Sequence, residues 1–406
     1  MAPAGDRESL MAAIQGGANA VYFGVGKLNM RSGSAKNFTE DDLPEITEIC
    51  RKANIKSYLT MNIVMYDHEL AAMEGLVIKA KQAGISAIIA ADHAVIAMVK
   101  KHGVRLHIST QANISNVESV KFFALFADVM VLARELSLEQ MKHICDRITE
   151  EKITGPSGEL VQIEVFIHGA LCMAVSGKCY LSLHQSNKSA NRGACRQICR
   201  KGYEVTDLES GEQLNVDHEY IMSAKDLNTL PFLDRLIGTG VKILKIEGRG
   251  RSPEYVKTVT QSYHDALLAI ERGQFDETFI KNAEEKLDAV FNRGFWGGYY
   301  LGQKLGEWSG TYGSAATRRK VYIGKGVNYF SKLGVAEFLM ESHSLSVGDE
   351  VLITGPTTGV IETTIREIRV ELKNVEKTIK GENCSIPIDT KIRRADKLYK
   401  IVDANS

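Results

Sequence analysis

The sequence has no excess of either charge: 50 Lys and Arg balance 50 Asp and Glu across 406 residues, and the isoelectric point is about 7.1. No overall field draws such a chain onto nucleic acid or an anionic membrane, so any such contact needs a local patch. No run approaches the ~18 uncharged apolar residues of a membrane span. The most apolar windows are broken by Asp92 and His93 and by Asp128. The opening segment, MAPAGDRESLMAAIQGGANA, carries Asp6, Arg7 and Glu8 where a signal peptide would have its apolar core. A cytoplasmic protein with no membrane partner is expected. Low-complexity tracts are missing, and so are internal repeats beyond an alternation of strand and helix patterns.

Familiar catalytic templates are also lacking. His68 and Glu69 begin an H-E-x-x-H pattern, but Ala72 stands where the second zinc ligand would be, and no G-x-S-x-G occurs. Gly24 and Gly26 run on into Lys27, Leu28 and Asn29, which is not a dinucleotide fingerprint. What is present is the ordinary mixture of a soluble globular protein, 44% apolar and 25% charged. The chain is longer than a single core usually supports, roughly 250–300 residues.

Short β-rich apolar runs alternate with helical patterns over the first part of the chain. The runs at 20–24, 57–62, 87–91, 105–109, 129–134, 163–169 and 243–248 are predicted strands, and a short strand at 1–4 makes eight. Between them lie helical stretches such as 69–83 and 137–149, the latter opened by Ser137 as N-cap. Eight such units predict an α/β fold, a (β/α)8 TIM-like barrel over 1–310 with its site at the C-terminal ends of the strands. The rival is an open doubly wound sheet. The connection after 169 is abnormally long and carries a cysteine-bearing insertion at 170–202, then a hairpin-like YEVTDLESGEQLNV (203–216) before a helix near 224–239. Helices are predicted at 253–272 and 278–292, and RGFWGGYYLG (293–302) reads as a boundary linker. Short strands with Gly-containing turns over 315–406 predict a small C-terminal all-β barrel.

Four of the seven cysteines, Cys172, Cys179, Cys195 and Cys199, form C-x6-C-x15-C-x3-C on that insertion. In a chain without an export signal, such clustering speaks for metal or redox chemistry. Zinc and an iron–sulfur cluster both use four thiolates; zinc knuckles favour two close pairs, whereas a first gap of six suits the wider spread of a cubane. Thiols with no metal are the bland alternative. Lys178, Lys188, Arg192, Arg196, Arg200 and Lys201 surround the cysteines with no acid between 172 and 203. Such cations offset the charge of a thiolate cluster and offer a surface for phosphates. Cys50, Cys145 and Cys384 read as core thiols.

Polar residues at strand ends form a second constellation. His107, Ser109 and Gln111 share one face at period two, as do Lys245, Glu247 and Arg249. Asn62, Arg134 and Glu135 close two further strands. Together they would ring one barrel mouth and bind an anionic small molecule or an RNA base; the alternative is a set of salt bridges satisfying the barrel end.

The segment EVFIHGALCMAVSGKCYLS (164–182) resembles the signature of the collagenase-like peptidase family, family thirty-two among peptidases of unassigned catalytic type. The resemblance extends to APAGDRESLMAAIQGGANAVYFG, STQAN, RELSLEQ, SANRGACRQICR, YIMSAKDL and LKIEGR, nearly the whole barrel, and the C-terminal domain is similar to the translation-factor-type barrel that many members append. It implies a 4Fe–4S cluster on Cys172, Cys179, Cys195 and Cys199, and oxygen-independent hydroxylation. One branch converts wobble uridine in transfer RNA to 5-hydroxyuridine with prephenate implicated, a second hydroxylates a 23S ribosomal RNA cytidine, and a third acts on the ubiquinone ring. HGALCMAVSGKC, YIMSAKDL and LKIEGR look most like the transfer-RNA branch, while SANRGACRQICR is also close to the ribosomal one. The partner is then an RNA, with a related subunit or a second copy as a further possibility; peptidase activity is the rival. Catalytic candidates are His107, Gln111, Arg134, Glu135, Lys245, Glu247 and Arg249. Asn62, Ser109, Asn113, His168, Lys178, Arg192, Arg196 and Arg200 are expected to contact substrate.

Overall fold

The computed structural model describes residues 1–404 apart from 205, 212–219 and 221, so the second half of the hairpin expected at 203–216 lies largely outside the described residues. Its first sheet contains β1 (Ala2–Pro3), β2 (Ala20–Gly24), β3 (Lys56–Met61), β4 (Ala87–Ala90), β5 (Leu106–Ile108), β6 (Val129–Val131), β7 (Gln162–Ala170), β8 (Asp226–Asn228), β9 (Ile243–Ile246) and β10 (Phe295–Trp296). Neighbours from β1 to β7 pair in parallel and in sequence order, and β9 pairs in parallel with β7. Strands β2 and β4 are buried along their whole length, as expected where helices cover one face and side chains fill the other.

Among the described residues the ladder does not close into a ring of paired strands. Between β9 and β1 Met1 bridges, its ammonium donating to the Leu244 carbonyl at 2.7 Å and its carbonyl accepting from the Ile246 amide at 3.1 Å. The fold is thus mixed α/β with a long parallel sheet. It departs from expectation after β7. Where a helix was predicted near 224–239, β8 runs antiparallel to β7 and only a short helix, Leu233–Ile237, follows. The segment predicted as a linker supplies β10, which pairs with β8. Two- and three-residue strands are too short to show a period.

Helices pack outside the sheet for reasons visible in their sequences. The helix Leu70–Ala83 buries Met73, Leu76, Val77 and Ala80 and stops at Gly84, whose φ of 78° suits a residue without a Cβ. The helix Leu138–Glu150 starts at a capping box of Ser137 and Gln140. Each fully buried Leu or Met contributes ~1.5–3 kcal/mol, and Met73→Ala would cost ~2–5 kcal/mol.

A second, antiparallel sheet follows: β11 (Arg318–Phe330), β12 (Val335–Met340), β13 (Glu350–Gly355), β14 (Gly359–Thr364), β15 (Arg369–Val370), β16 (Lys373–Asn374), β17 (Asn383–Pro387) and β18 (Lys397–Asp403). Its own core includes Ile323, Phe338, Met340, Ile353 and Leu398, while Leu352 and Val360 join the larger core of the first unit. Gln15 fastens the two, its amide donating to the Thr358 carbonyl at 2.9 Å and accepting from the Val360 amide at 2.8 Å.

The inner face of the first sheet carries a buried ion pair. Lys245 donates to Glu164 at 2.8 Å, with both side chains almost wholly enclosed. Burial would raise the Glu164 carboxyl, but Lys245 and His107 outweigh it and hold it at about 2. A carboxyl depressed on folding stabilises fully above its ordinary range, and that stabilisation is lost as pH falls toward about 2. Glu164→Gln, which strands the Lys245 ammonium, should cost ~3–5 kcal/mol near neutral pH. The gap to wild type should narrow as the pH drops below the carboxylate range, measured by urea unfolding across a pH series; a gap that stays constant would contradict the pairing.

Candidate functional site

The cysteine connection has little regular structure and is positioned by staples. Arg192 donates to both carboxylate oxygens of Glu69 at 2.6 and 2.7 Å and to the Val64 carbonyl at 2.6 Å, and lies 4.1 Å over the Tyr66 ring. Arg200 donates to the Leu171 carbonyl at 2.6 Å, to Ser223 at 3.2 Å and to the Ala224 carbonyl. The Asn113 amide donates to the Ser176 carbonyl at 3.2 Å. Gly193 (φ 78°) presses against Ser32 and Asn29, where a Cβ would collide.

These staples place Cys172, Cys179, Cys195 and Cys199 around one cavity of about 210 Å³, beyond the C-terminal ends of the strands. Gln111, Arg31, Arg134, Arg200, Arg251, Arg293 and Glu247 complete its lining. A smaller chamber of about 50 Å³ lies beneath, lined by Tyr22, Thr60, Asn62, Ser109, Lys245 and Arg249. Met30, Arg31, Gln111, Arg134 and Glu247 belong to both, so the two chambers adjoin and together make up the cleft.

All four sulfurs are free thiols, and the Cys195 Sγ accepts the Gln197 amide at 3.4 Å. Burial pushes the Cys199 thiol up to about 11, against the pull of Arg200, and the fields of the other three cysteines add to the rise. The four thiols line the same cavity. Four thiols around a cationic cavity are a donor set that fits a polynuclear iron–sulfur centre, whose ligands are spread over several irons.

At the floor, Arg31 bonds Glu247 through Nε at 3.0 Å and Nη2 at 2.7 Å. Burial would raise the Glu247 carboxyl, but Arg31, Arg134 and Arg249 hold it below its usual range. The Arg134 guanidinium lies 4.0 Å over the Phe166 ring and donates to the Ala170 carbonyl at 3.0 Å, which leaves its buried Nε without a partner. The Gln111 Oε1 is likewise buried and unpartnered. Arg249 donates to Thr60 at 2.6 Å and to Asn29, and burial lowers it to about 10. The floor therefore offers one carboxylate, several guanidinium groups and unsatisfied amide and guanidinium atoms, a set able to orient a polar planar group.

Residues 5–310 match the model of peptidase family U32. The chain belongs to that family. A U32 relative named collagenase from Porphyromonas gingivalis is 56% identical over 98% of this chain and 97% of its own length. The tRNA hydroxylation protein P1 of Bacillus subtilis is 31% identical over 88% of this chain and 83% of its own. A 23S rRNA 5-hydroxycytidine synthase of Escherichia coli is 34% identical over 76% of this chain, which spans 46% of that protein.

Of the residues singled out from the sequence of this U32 chain, the four cysteines, Asn62, Ser109, Gln111, Arg134, Arg200, Lys245, Glu247 and Arg249 meet in the cleft. Others do not. His107 lies below it, 3.4 Å from Glu164 and with its ring tilted against Tyr58 at 4.6 Å. Glu135 is exposed and lines neither chamber. Asn113 and Arg192 hold the loop in place instead of facing the cavity. His168 is enclosed by Tyr255, Tyr263 and Phe295 outside the cleft, and burial lowers it to about 3. Lys178 and Arg196 are exposed beside lining residues. Sequence reasoning missed Arg31, Arg251 and Arg293, the last two flanking buried Asp226 at 3.3 and 3.4 Å. Spacing of two glycines, Gly24 and Gly26, could have pointed to this region: a Cβ on Gly24 would strike Arg249 and Asn29.

Arg192→Ala should loosen the cysteine connection without unfolding the sheet. Losing charge-assisted bonds of ~1.5–3 kcal/mol would raise local opening about tenfold or more, read as faster limited proteolysis between 172 and 201. Unchanged cleavage would contradict the stapling role.

Proposed function

We propose that this protein hydroxylates RNA, converting wobble uridine of transfer RNA to 5-hydroxyuridine, on a (β/α)8-type scaffold acting in the cytoplasm. The observation that carries the reading is the thiol-lined cavity adjoining a polar, guanidinium-rich floor. Cys172, Cys179, Cys195 and Cys199 would hold a 4Fe–4S cluster. When bound, such a cluster supplies one-electron redox chemistry that side chains perform poorly.

The chain's own residues would do the rest. Replacing the C5–H of uridine by C5–OH is a two-electron oxidation that needs an oxygen donor and an electron acceptor from outside. Gln111 has an acceptor oxygen free for the N–H edge of a uracil, and Arg134 has a free N–H for its carbonyl oxygen. Arg31 keeps Glu247 ionised, and the surplus of guanidinium groups over carboxylates suits an anionic co-substrate such as prephenate. The staples that close the connection over the cavity would limit water at the reacting carbon.

A second reading, peptide hydrolysis, draws on the name of the Porphyromonas relative. It needs a base beside a nucleophile. His168, four residues from Cys172, has its contacts with aromatic rings and lies outside the cleft.

The test is nucleoside analysis of transfer RNA from a deletion strain with no redundant pathway. Loss of 5-hydroxyuridine, restored by the wild-type gene and not by one with all four cysteines replaced by serine, is expected. Unchanged 5-hydroxyuridine would overturn the reading, and gelatin cleavage surviving the fourfold replacement would favour the hydrolase. Gln111→Leu, which removes the free acceptor, should lower turnover by about a hundredfold, taking ~2–3 kcal/mol for an unmet polar contact. Activity within twofold of wild type would remove Gln111 from base recognition.

A further inference from the structure

Four of the six basic residues of the cysteine connection divide between two jobs. Arg192 and Arg200 are consumed as staples. Lys178 and Arg196 are exposed, and among the described residues their charged groups form no ion pair or hydrogen bond. Both alternate with residues that line the cavity: Lys178 sits between Gly177 and Cys179, and Arg196 between Cys195 and Gln197. The Arg196 amide donates to Ser182 at 2.9 Å, which ties this stretch to the start of the helix Leu181–Ser186. Immediately before that helix stands Tyr180, 73% exposed, next to cavity-lining Cys179 and Leu181. Met173 and Val175 extend the apolar surface on the same connection. A large aromatic side chain this exposed has no packing role, and the stretch from 172 to 203 holds no acidic residue.

We infer that this rim is a platform for unpaired RNA, on which Tyr180 stacks a base flanking the one that enters the cavity while Lys178 and Arg196 hold the adjoining phosphates. The inference rests on the RNA reading above and assigns the residues that hold the strand beside the target base. A base inside a duplex cannot reach the floor of the cleft without leaving its stack. An exposed aromatic interleaved with free cations is how proteins grip a single strand, each stacked base and each phosphate adding separately. Charge complementarity selects RNA over an apolar peptide for this surface, because every charged residue from 172 to 203 is a cation.

Fluorescence anisotropy with a labelled RNA stem-loop carrying uridine in its unpaired loop, and with the fully paired duplex of the same sequence, tests it on the anaerobically purified full chain. Tyr180→Ala should weaken stem-loop binding about tenfold, and Tyr180→Phe should bind as wild type. Lys178→Gln and Arg196→Gln should each flatten the dependence of log K on log salt by ~0.7. Phe122→Ala, at another exposed aromatic, on the helix Val117–Ala124, should change nothing. Wild-type affinity in Tyr180→Ala, equal loss on duplex and loop, or displacement of the RNA by gelatin peptides would each overturn the proposal. Tyr180-dependent loop binding by a protein whose deletion leaves 5-hydroxyuridine unchanged would uphold the platform and sink the hydroxylation. Lost 5-hydroxyuridine with Tyr180-independent binding would do the reverse.

Discussion

The Arg200 guanidinium bonds the carbonyl of Leu171, where the chain leaves β7, and the carbonyl of Ala224, where it returns toward β8. The connection between those points carries the four thiols, so one side chain joins both of its ends. Loops without regular structure place chemistry accurately only when a scaffold and specific bonds fix them. Here the scaffold is the parallel sheet, and the bonds come from Arg192, Arg200 and Asn113. Two of those three belong to the stretch whose basic composition first reads as a phosphate surface. The function of the remaining cations follows from that division, because only the residues the fold leaves free can meet a partner.

Charge organises the cleft at a second level. Glu247 is held ionised among Arg31, Arg134 and Arg249, and Asp226 sits between Arg251 and Arg293. Each buried carboxylate is shared among several guanidinium groups, so the lining keeps a positive balance after internal pairing. A cluster on four thiolates and an anionic reactant both gain from such an environment, whereas an empty cavity of this charge would cost stability. The Lys245–Glu164 pair lies deepest, with Lys245 at the wall of the lower chamber and both side chains almost wholly enclosed.

Much of this was legible in the sequence. The strand runs and the capped helices announce themselves through period and punctuation, and four cysteines in a short stretch announce a shared site. Strand ends at 111, 134, 245, 247 and 249 were legible for the same reason: parallel strands deliver their next residues to one edge. What escaped depends on distance along the chain. Arg31 is 216 positions from Glu247, and no local pattern links them. Strands β8 and β10 are too short for a period, and β8 begins with Asp226, a poor strand former that pairs with two distant arginines. His168 and Glu135 looked like site residues by position. A register shift between Phe166 and His168 accompanies the turn of the histidine into an aromatic enclosure, and the connection after β6 carries the glutamate out to solvent.

The claim on which everything else rests is that the four thiols hold an iron–sulfur centre. Anaerobic purification followed by visible absorbance, with iron and acid-labile sulfide assayed on the same sample, tests it most directly. A brown protein with near-equal iron and sulfide that bleaches on reduction, and that loses its colour when Cys172, Cys179, Cys195 and Cys199 are replaced by serine, is the result expected. Colourless protein carrying stoichiometric zinc, or no metal after anaerobic reconstitution, would contradict it.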